Sequence, residues 1–147
     1  MTPTNRLEVL TSRREPEPHI SIGIAGSQRP LEIAAARLVA QYALDARRTL
    51  AVLDEDVPFE EQLHLVLLIG DRIADHIEIG APYSTGEFRE IALEDEAIAF
   101  AFDGDDPWRL EVLPTPRRMF GGLPAGARRR GGFLKPRYMQ LSRGGLG

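Results

Sequence analysis

Two groups of side chains have the residue types of a metal site. Asp71, Asp75 and His76 offer carboxylate and imidazole ligands beside a turn. A metal ion needs its ligands to converge, but alternation along a strand sends Asp75 and His76 to opposite faces. A solvated hairpin end is therefore the simpler interpretation of this group.

The second group, Asp103, Asp105 and Asp106, resembles the opening of a calcium-binding loop. The ligand pattern of such loops is not completed, because Arg109 and Leu110 stand where further oxygen ligands belong. A hairpin turn whose aspartates hydrogen-bond their own backbone explains these residues more simply. The sequence thus predicts neither a metal nor a cofactor.

Other candidates for catalysis are equally incomplete. The turn at residues 23–27 joins a strand to a predicted helix and could hold an anion. It lacks both nucleotide-binding glycine motifs. Ser27 is therefore interpreted as a helix cap. The histidines, His19, His64 and His76, lie far apart, and His64 reads as a hydrogen-bonded strand residue. The carboxylates of Asp54–Glu61 read as an exposed acidic loop. We therefore expect the protein not to be an enzyme.

Composition narrows the class of protein further. The chain of 147 residues has no cysteine, which excludes disulfides and thiolate zinc sites. The first 18 residues lack the apolar core of a secretory signal, and no apolar run approaches the roughly 18 residues of a membrane helix. We expect a cytoplasmic protein with no membrane contact, or a virion component if the source is a phage.

Charge divides the chain into two parts. Residues 1–116 contain all 22 acidic side chains and have a net charge of −12, whereas residues 117–147 have a net charge of +8 and contain no acid. The sequence therefore predicts an acidic domain over residues 1–116 and a basic C-terminal arm over residues 117–147. Such an asymmetric segment is typical of an interaction tail.

The arm contains the residues that we expect to bind a partner. Basic side chains would meet an acidic surface, and the apolar and aromatic ones would leave water on docking. These residues are Arg117, Arg118, Arg128, Arg129, Arg130, Phe133, Lys135, Arg137, Tyr138 and Arg143. Residues 130–133 and 143–145 form two RGG-like units, which also suit nucleic acid. The receiving surface could be the chain's own body, a neighbouring copy or a nucleic acid.

Periodicity predicts the elements that must position these groups. The apolar pattern predicts strands at residues 19–25, 49–53, 63–69, 72–79, 97–102 and 108–112. It also predicts short strand segments at 6–11, 88–93 and 137–142. A stripe of apolar residues at helical spacing predicts one amphipathic helix at about residues 28–46, with Leu31, Leu38 and Tyr42 on one face. The expected fold is α+β: a mostly antiparallel meander of about five to seven strands with this helix packed on it.

These observations predict a non-catalytic binding or assembly protein. Its arm would dock on an acidic surface of a neighbouring protein chain, either another copy or a different protein, as in a bacterial or phage structural component or adaptor. An RNA- or DNA-binding protein that works through the arm and a chaperone-like adaptor for a secreted protein are the alternatives.

Overall fold

The computed structural model is an all-β protein, and it describes residues 1–57, 60–82, 86–104, 106–118, 122–131 and 135–144. Thirteen strands form three antiparallel sheets, and no described residue is helical. The prediction of an α+β fold is therefore wrong. No helix in this part of the chain is long and apolar enough to cross a membrane.

The strands follow one another with short connections. They are β1 (Thr2–Pro3), β2 (Leu7–Arg13), β3 (His19–Ile24), β4 (Leu31–Ile33), β5 (Arg37–Ala43), β6 (Arg48–Asp54), β7 (Glu60–Ile69), β8 (Arg72–Pro82), β9 (Arg89–Leu93), β10 (Ala97–Ala101), β11 (Trp108–Arg117), β12 (Ala127–Arg129) and β13 (Arg137–Arg143). The predicted strands at 49–53, 63–69 and 72–79 lie within β6, β7 and β8.

A six-stranded central sheet, in the order β1-β5-β6-β7-β8-β12, is covered on both faces. One face packs against a four-stranded sheet, β13-β11-β10-β9, and the other against a three-stranded sheet, β2-β3-β4. Alternation along β6 shows this directly. Leu50 and Val52 lie in the core shared with the four-stranded sheet, whereas Ala51 and Leu53 lie in the core shared with the three-stranded sheet. Burial on both faces explains why β6 and β7 are almost continuously apolar.

The predicted helix at residues 28–46 is replaced by β4 and β5. Strand β5 pairs with β6 in antiparallel register, so that Tyr42 lies opposite Leu50. Asp45 closes the hairpin between them, since its Oδ1 accepts hydrogen bonds from the backbone N–H groups of Arg47 and Arg48. The exposed edge of β6 gains a partner in this way, and this tertiary pairing outweighs the helical spacing of the apolar residues.

Both strands of the basic arm belong to the sheets of the body. Gly126, at φ +90°, turns the chain into β12, which pairs with β8 in the central sheet. Strand β13 pairs with β11 in the four-stranded sheet, and its Met139 and Leu141 lie in the larger core. The division into an acidic domain and a basic arm at residue 116 thus remains a prediction based on charge. In the structure, β12 and β13 are outer strands of two sheets.

Candidate functional site

A buried cluster of titratable side chains lies on the face of the central sheet that looks toward the three-stranded sheet. The β7–β8 hairpin places His64 directly opposite Glu78, and Val66 opposite His76. His76 and Glu78 are two residues apart on β8, so their side chains share a face. His64 and Glu78 are fully buried and His76 is nearly so.

Hydrogen bonds join the histidines in a chain. His64 Nε2 lies 2.7 Å from Glu55 Oε2, and His64 Nδ1 lies 2.8 Å from His76 Nε2. A carboxylate oxygen only accepts, so His64 donates from Nε2 to Glu55, and one proton is shared between His64 Nδ1 and His76 Nε2. Burial, followed by the proximity of His64, lowers the pKa of His76 to about 4, so this imidazole is neutral at neutral pH.

Two arginines from the basic arm hold the carboxylate of Glu78. Arg128 Nε donates to Oε2 and Arg130 Nε donates to Oε1, each at 2.6 Å. Burial alone would raise the pKa of Glu78, but the bonds from Arg130 and Arg128 lower it below its ordinary value. Glu78 is therefore an ionised carboxylate held in a fixed orientation between the arm and His64, whose Nδ1 lies 3.5 Å from Oε1.

A polar cavity of about 560 Å³ adjoins this cluster. The turn between β2 and β3, the segment after β6, the start of β7 and the arm enclose it. Its charged lining consists of Glu17, Glu55, Glu60, Arg128 and Arg130. Because Glu55 bonds to His64, and Arg128 and Arg130 bond to Glu78, the cavity walls contact the buried cluster directly.

The opposite face of β8 anchors the rest of the arm through Asp75. Its Oδ2 accepts from Arg129 at 2.6 Å and from the backbone N–H groups of Tyr138 and Met139 at 2.9 and 3.0 Å. Arg129 also donates to the Met139 carbonyl. Asp75 and His76 lie on opposite faces, as alternation requires, so the group Asp71, Asp75 and His76 does not converge. Asp71 instead accepts a hydrogen bond from Ser27.

The arm residues expected to bind a partner fall into several environments. Arg128, Arg129, Arg130 and Arg143 pair with carboxylates of this chain. Arg137 is buried and Tyr138 is half-buried, whereas Arg117, Arg118 and Lys135 are exposed. Phe133 lies outside the described residues. The structure brings Arg128 and Arg130 together at Glu78, while Arg143 lies elsewhere, 4.4 Å above the ring of Trp108.

Three further carboxylates of the predicted loops, Asp103, Asp54 and Glu61, have structural partners; Asp105 lies outside the described residues. Asp103 accepts from Trp108 Nε1 and from Arg143, so it fixes the turn before β11. In the segment interpreted as an exposed acidic loop, Asp54 and Glu61 are buried. Asp54 forms a two-pronged ion pair with Arg37 at 2.6 and 2.8 Å, and Glu61 accepts from two backbone N–H groups.

His64, Glu55 and Glu78 were not identified from the sequence as one site. The signal was present in the hairpin: a turn at Gly70 and Asp71 brings the two strands into register, and one bulge near Leu67 sets His64 opposite Glu78. The contribution of Glu55 depends on the path of the chain after β6, which no local pattern indicates.

Comparisons with protein-family profiles, with curated protein sequences and with solved structures found no match to this chain.

Proposed function

We propose that this chain is a non-catalytic binding and assembly protein, in which a basic surface of one copy docks on an acidic segment of the next. The basic surface consists of Arg117, Arg118 and Lys135. The acidic segment comprises residues 87–111, which include β9, β10 and the start of β11. A bacterial or phage structural component or adaptor would have such a property.

The observation that carries the proposal is that the strands bring exposed basic side chains of the arm to one region of the four-stranded sheet. Arg117 on β11 lies opposite Arg137 on β13, and Lys135 lies two residues before the start of β13. Arg130 and Lys135 line one small cavity of about 140 Å³ together with Arg137. In the part of the chain that the structure describes, no carboxylate pairs with Arg117, Arg118 or Lys135, so their charges face solvent.

The acidic segment supplies the complementary charge. Residues 87–111 contain nine acidic and two basic side chains, giving a net charge of −7. Among its described residues, Glu87, Asp95, Asp106 and Glu111 are exposed. Opposite potentials of this kind steer association and fix its register.

For the β9 part of the acidic segment, sheet geometry favours contact between copies over contact within one copy. Strands β13 and β9 are the two outer strands of the four-stranded sheet, with β11 and β10 between them. The three inter-strand steps from β9 to β13 amount to roughly 14 Å, too far for an exposed ion pair. Docking a surface on a different surface of the next copy is a heterologous contact, which builds rings or filaments.

Anchoring of the arm also supports protein docking over nucleic-acid binding. The arginines of the two RGG-like units, Arg130 and Arg143, are held by Glu78 and Asp103. An arm fixed in strands presents a preformed surface and loses little conformational entropy on association.

The test compares two triple variants of the full chain with equal changes of charge. Arg117, Arg118 and Lys135 are changed to Glu in the first, and the exposed Arg29, Arg47 and Arg72, which lie outside both proposed surfaces, are changed to Glu in the second. Sedimentation velocity at low and high salt gives the mass of each. We expect the wild type and the second variant to form oligomers that high salt dissociates, and the first variant to be a monomer.

Three results would overturn the proposal. The wild type could be a monomer at all concentrations, or the two triple variants could associate equally. Alternatively, the wild type could purify with nucleic acid that high salt removes, which would favour the alternative of RNA or DNA binding.

A further inference from the structure

We propose that His64, His76 and Glu78 form a binding site for a divalent transition-metal ion, with Zn²⁺ as the natural probe. This site is independent of the basic surface and of self-assembly. It departs from the expectation, drawn from the sequence, that no metal is bound.

The three ligand atoms already converge. One ligand atom from each residue lies within 4.8 Å of the other two. His64 Nδ1 is 2.8 Å from His76 Nε2 and 3.5 Å from Glu78 Oε1. Bonds of about 2.0–2.1 Å to a tetrahedral or octahedral ion would separate two ligands by roughly 2.9–3.4 Å. Both separations from His64 Nδ1 lie within about 0.1 Å of this range, and the His76 and Glu78 ligand atoms lie at most 4.8 Å apart.

The chemistry of the ligands selects the class of ion. Two imidazole nitrogens and one carboxylate oxygen suit zinc and its first-row neighbours, whereas Ca²⁺ and Mg²⁺ prefer oxygen ligands alone. Three protein ligands leave a tetrahedral ion one coordination position. The chain has no cysteine that could compete for such an ion.

The surroundings are those of a supported metal ligand. Glu55 accepts the Nε2 proton of His64, which leaves Nδ1 as the nitrogen that faces His76 and Glu78 and can bind an ion. When a cation binds, the proton shared between His64 Nδ1 and His76 Nε2 leaves to solvent, and both nitrogens present lone pairs to the ion. His64 and Glu78 are fully buried, so these orientations are maintained by packing.

Arg128 and Arg130 are the groups that a cation must compete with. Each bonds to one oxygen of Glu78, yet their side chains are 72% and 50% exposed. Long exposed guanidinium groups can move into solvent when an ion takes their place. Removing one of them should therefore tighten metal binding, an effect that a purely structural role of the cluster would not produce.

The experiment titrates the chelator-treated full chain with Co²⁺, followed by its visible d–d absorption, and then displaces Co²⁺ with Zn²⁺. We expect one ion per chain. His76→Asn and Glu78→Gln should abolish binding, and Glu55→Gln should weaken it about 10–100-fold. Arg128→Gln should bind more tightly than the wild type.

The third histidine provides a matched control. His19 pairs with Glu32 at the surface at 2.9 Å, so it is the alternative His–carboxylate pair for adventitious binding. His19→Asn should leave Co²⁺ binding unchanged. The proposal is contradicted if the wild type gives no d–d bands, or if His19→Asn abolishes them.

A measurement on the wild type covers the case in which a variant fails to fold. Imidazole nitrogen chemical shifts, recorded with and without Zn²⁺, should move for His64 Nδ1 and His76 Nε2 and stay fixed for His19. Shifts confined to His19 would contradict the site.

Discussion

Buried carboxylates, each with a specific cationic partner, connect the basic arm to the acidic body. Asp75 is the clearest case, because one oxygen joins Arg129 on β12 to the backbone of β13. The side chains of Asp75 and Arg129 are 2% and 11% exposed, so water does not substitute for either partner. The excess of arginine in the arm thus has a structural role in addition to any binding role.

Changing Asp75 to Asn should lower the free energy of unfolding by about 3–5 kcal/mol, since it leaves a buried guanidinium without a counter-charge. Adding Arg129→Met to this variant should recover much of the loss, because neither charge then remains buried. Urea denaturation of the four proteins of this cycle measures the coupling. Glu94→Gln, which breaks the exposed pair with Arg109, is the control and should leave stability unchanged. A loss below about 1 kcal/mol for Asp75→Asn would be inconsistent with the buried pair.

Asp45 gives stability a predictable dependence on pH. Burial alone would raise its pKa, but hydrogen bonds from the Arg48 side chain and from the Arg47 and Arg48 N–H groups outweigh it and lower the pKa from 3.8 to about 2. A carboxyl with a lowered folded-state pKa stabilises the protein above its unfolded pKa and loses that effect as pH falls toward the folded one.

The variant Asp45→Asn should therefore be less stable than the wild type by up to about 1 kcal/mol near neutral pH, the range for a half-exposed ion pair. The difference should shrink as pH falls below about 4. Chemical denaturation of both proteins across this pH range checks it. A difference that stays constant with pH would show that the carboxylate charge has no part in the effect.

At the scale of elements, most strands could be predicted from the sequence and the helix could not. Alternation at 97–102 predicts a strand with one buried face, and the continuous apolar run at 63–69 predicts a strand buried on both faces. Residues 31–43 satisfy a helical stripe equally well, and only the pairing of β5 with β6 decides against it. Similarly, the apolar residues of 137–142 predict a docked strand, but which sheet receives it depends on β11, a partner far away in the sequence.

The position of β13 predicts how much the free energy of unfolding falls when its side chains are shortened to alanine. Met139 is fully buried in the larger core, and its neighbour Gln140 is exposed. Met139→Ala should cost about 2–5 kcal/mol of unfolding free energy, as for large-to-small changes in a core. Gln140→Ala is the matched control and should change it by less than about 0.5 kcal/mol. Equal effects of the two changes in thermal or urea unfolding would mean that the arm is not packed as a strand.

At the scale of the whole molecule, the division of charge could be predicted from composition, but its distribution in space could not. Part of the arm's positive charge is neutralised inside the chain, and the remaining cations gather where β11 and β13 meet. Within the acidic segment, β9 is the outer strand of the same sheet that lies opposite β13. A molecule with unlike charges on the two outer strands of one sheet is suited to head-to-tail association.

The most direct test of this association uses the single lysine of the chain, Lys135, which lies in the basic surface. A carbodiimide couples an amine to a carboxylate in direct contact, and an equal mixture of ¹⁴N- and ¹⁵N-labelled chains distinguishes links between copies from links within one. We predict mixed-isotope links from Lys135 to carboxylates within residues 87–111, lost at high salt. Links from Lys135 only within single chains, or to carboxylates outside that segment, would contradict head-to-tail assembly.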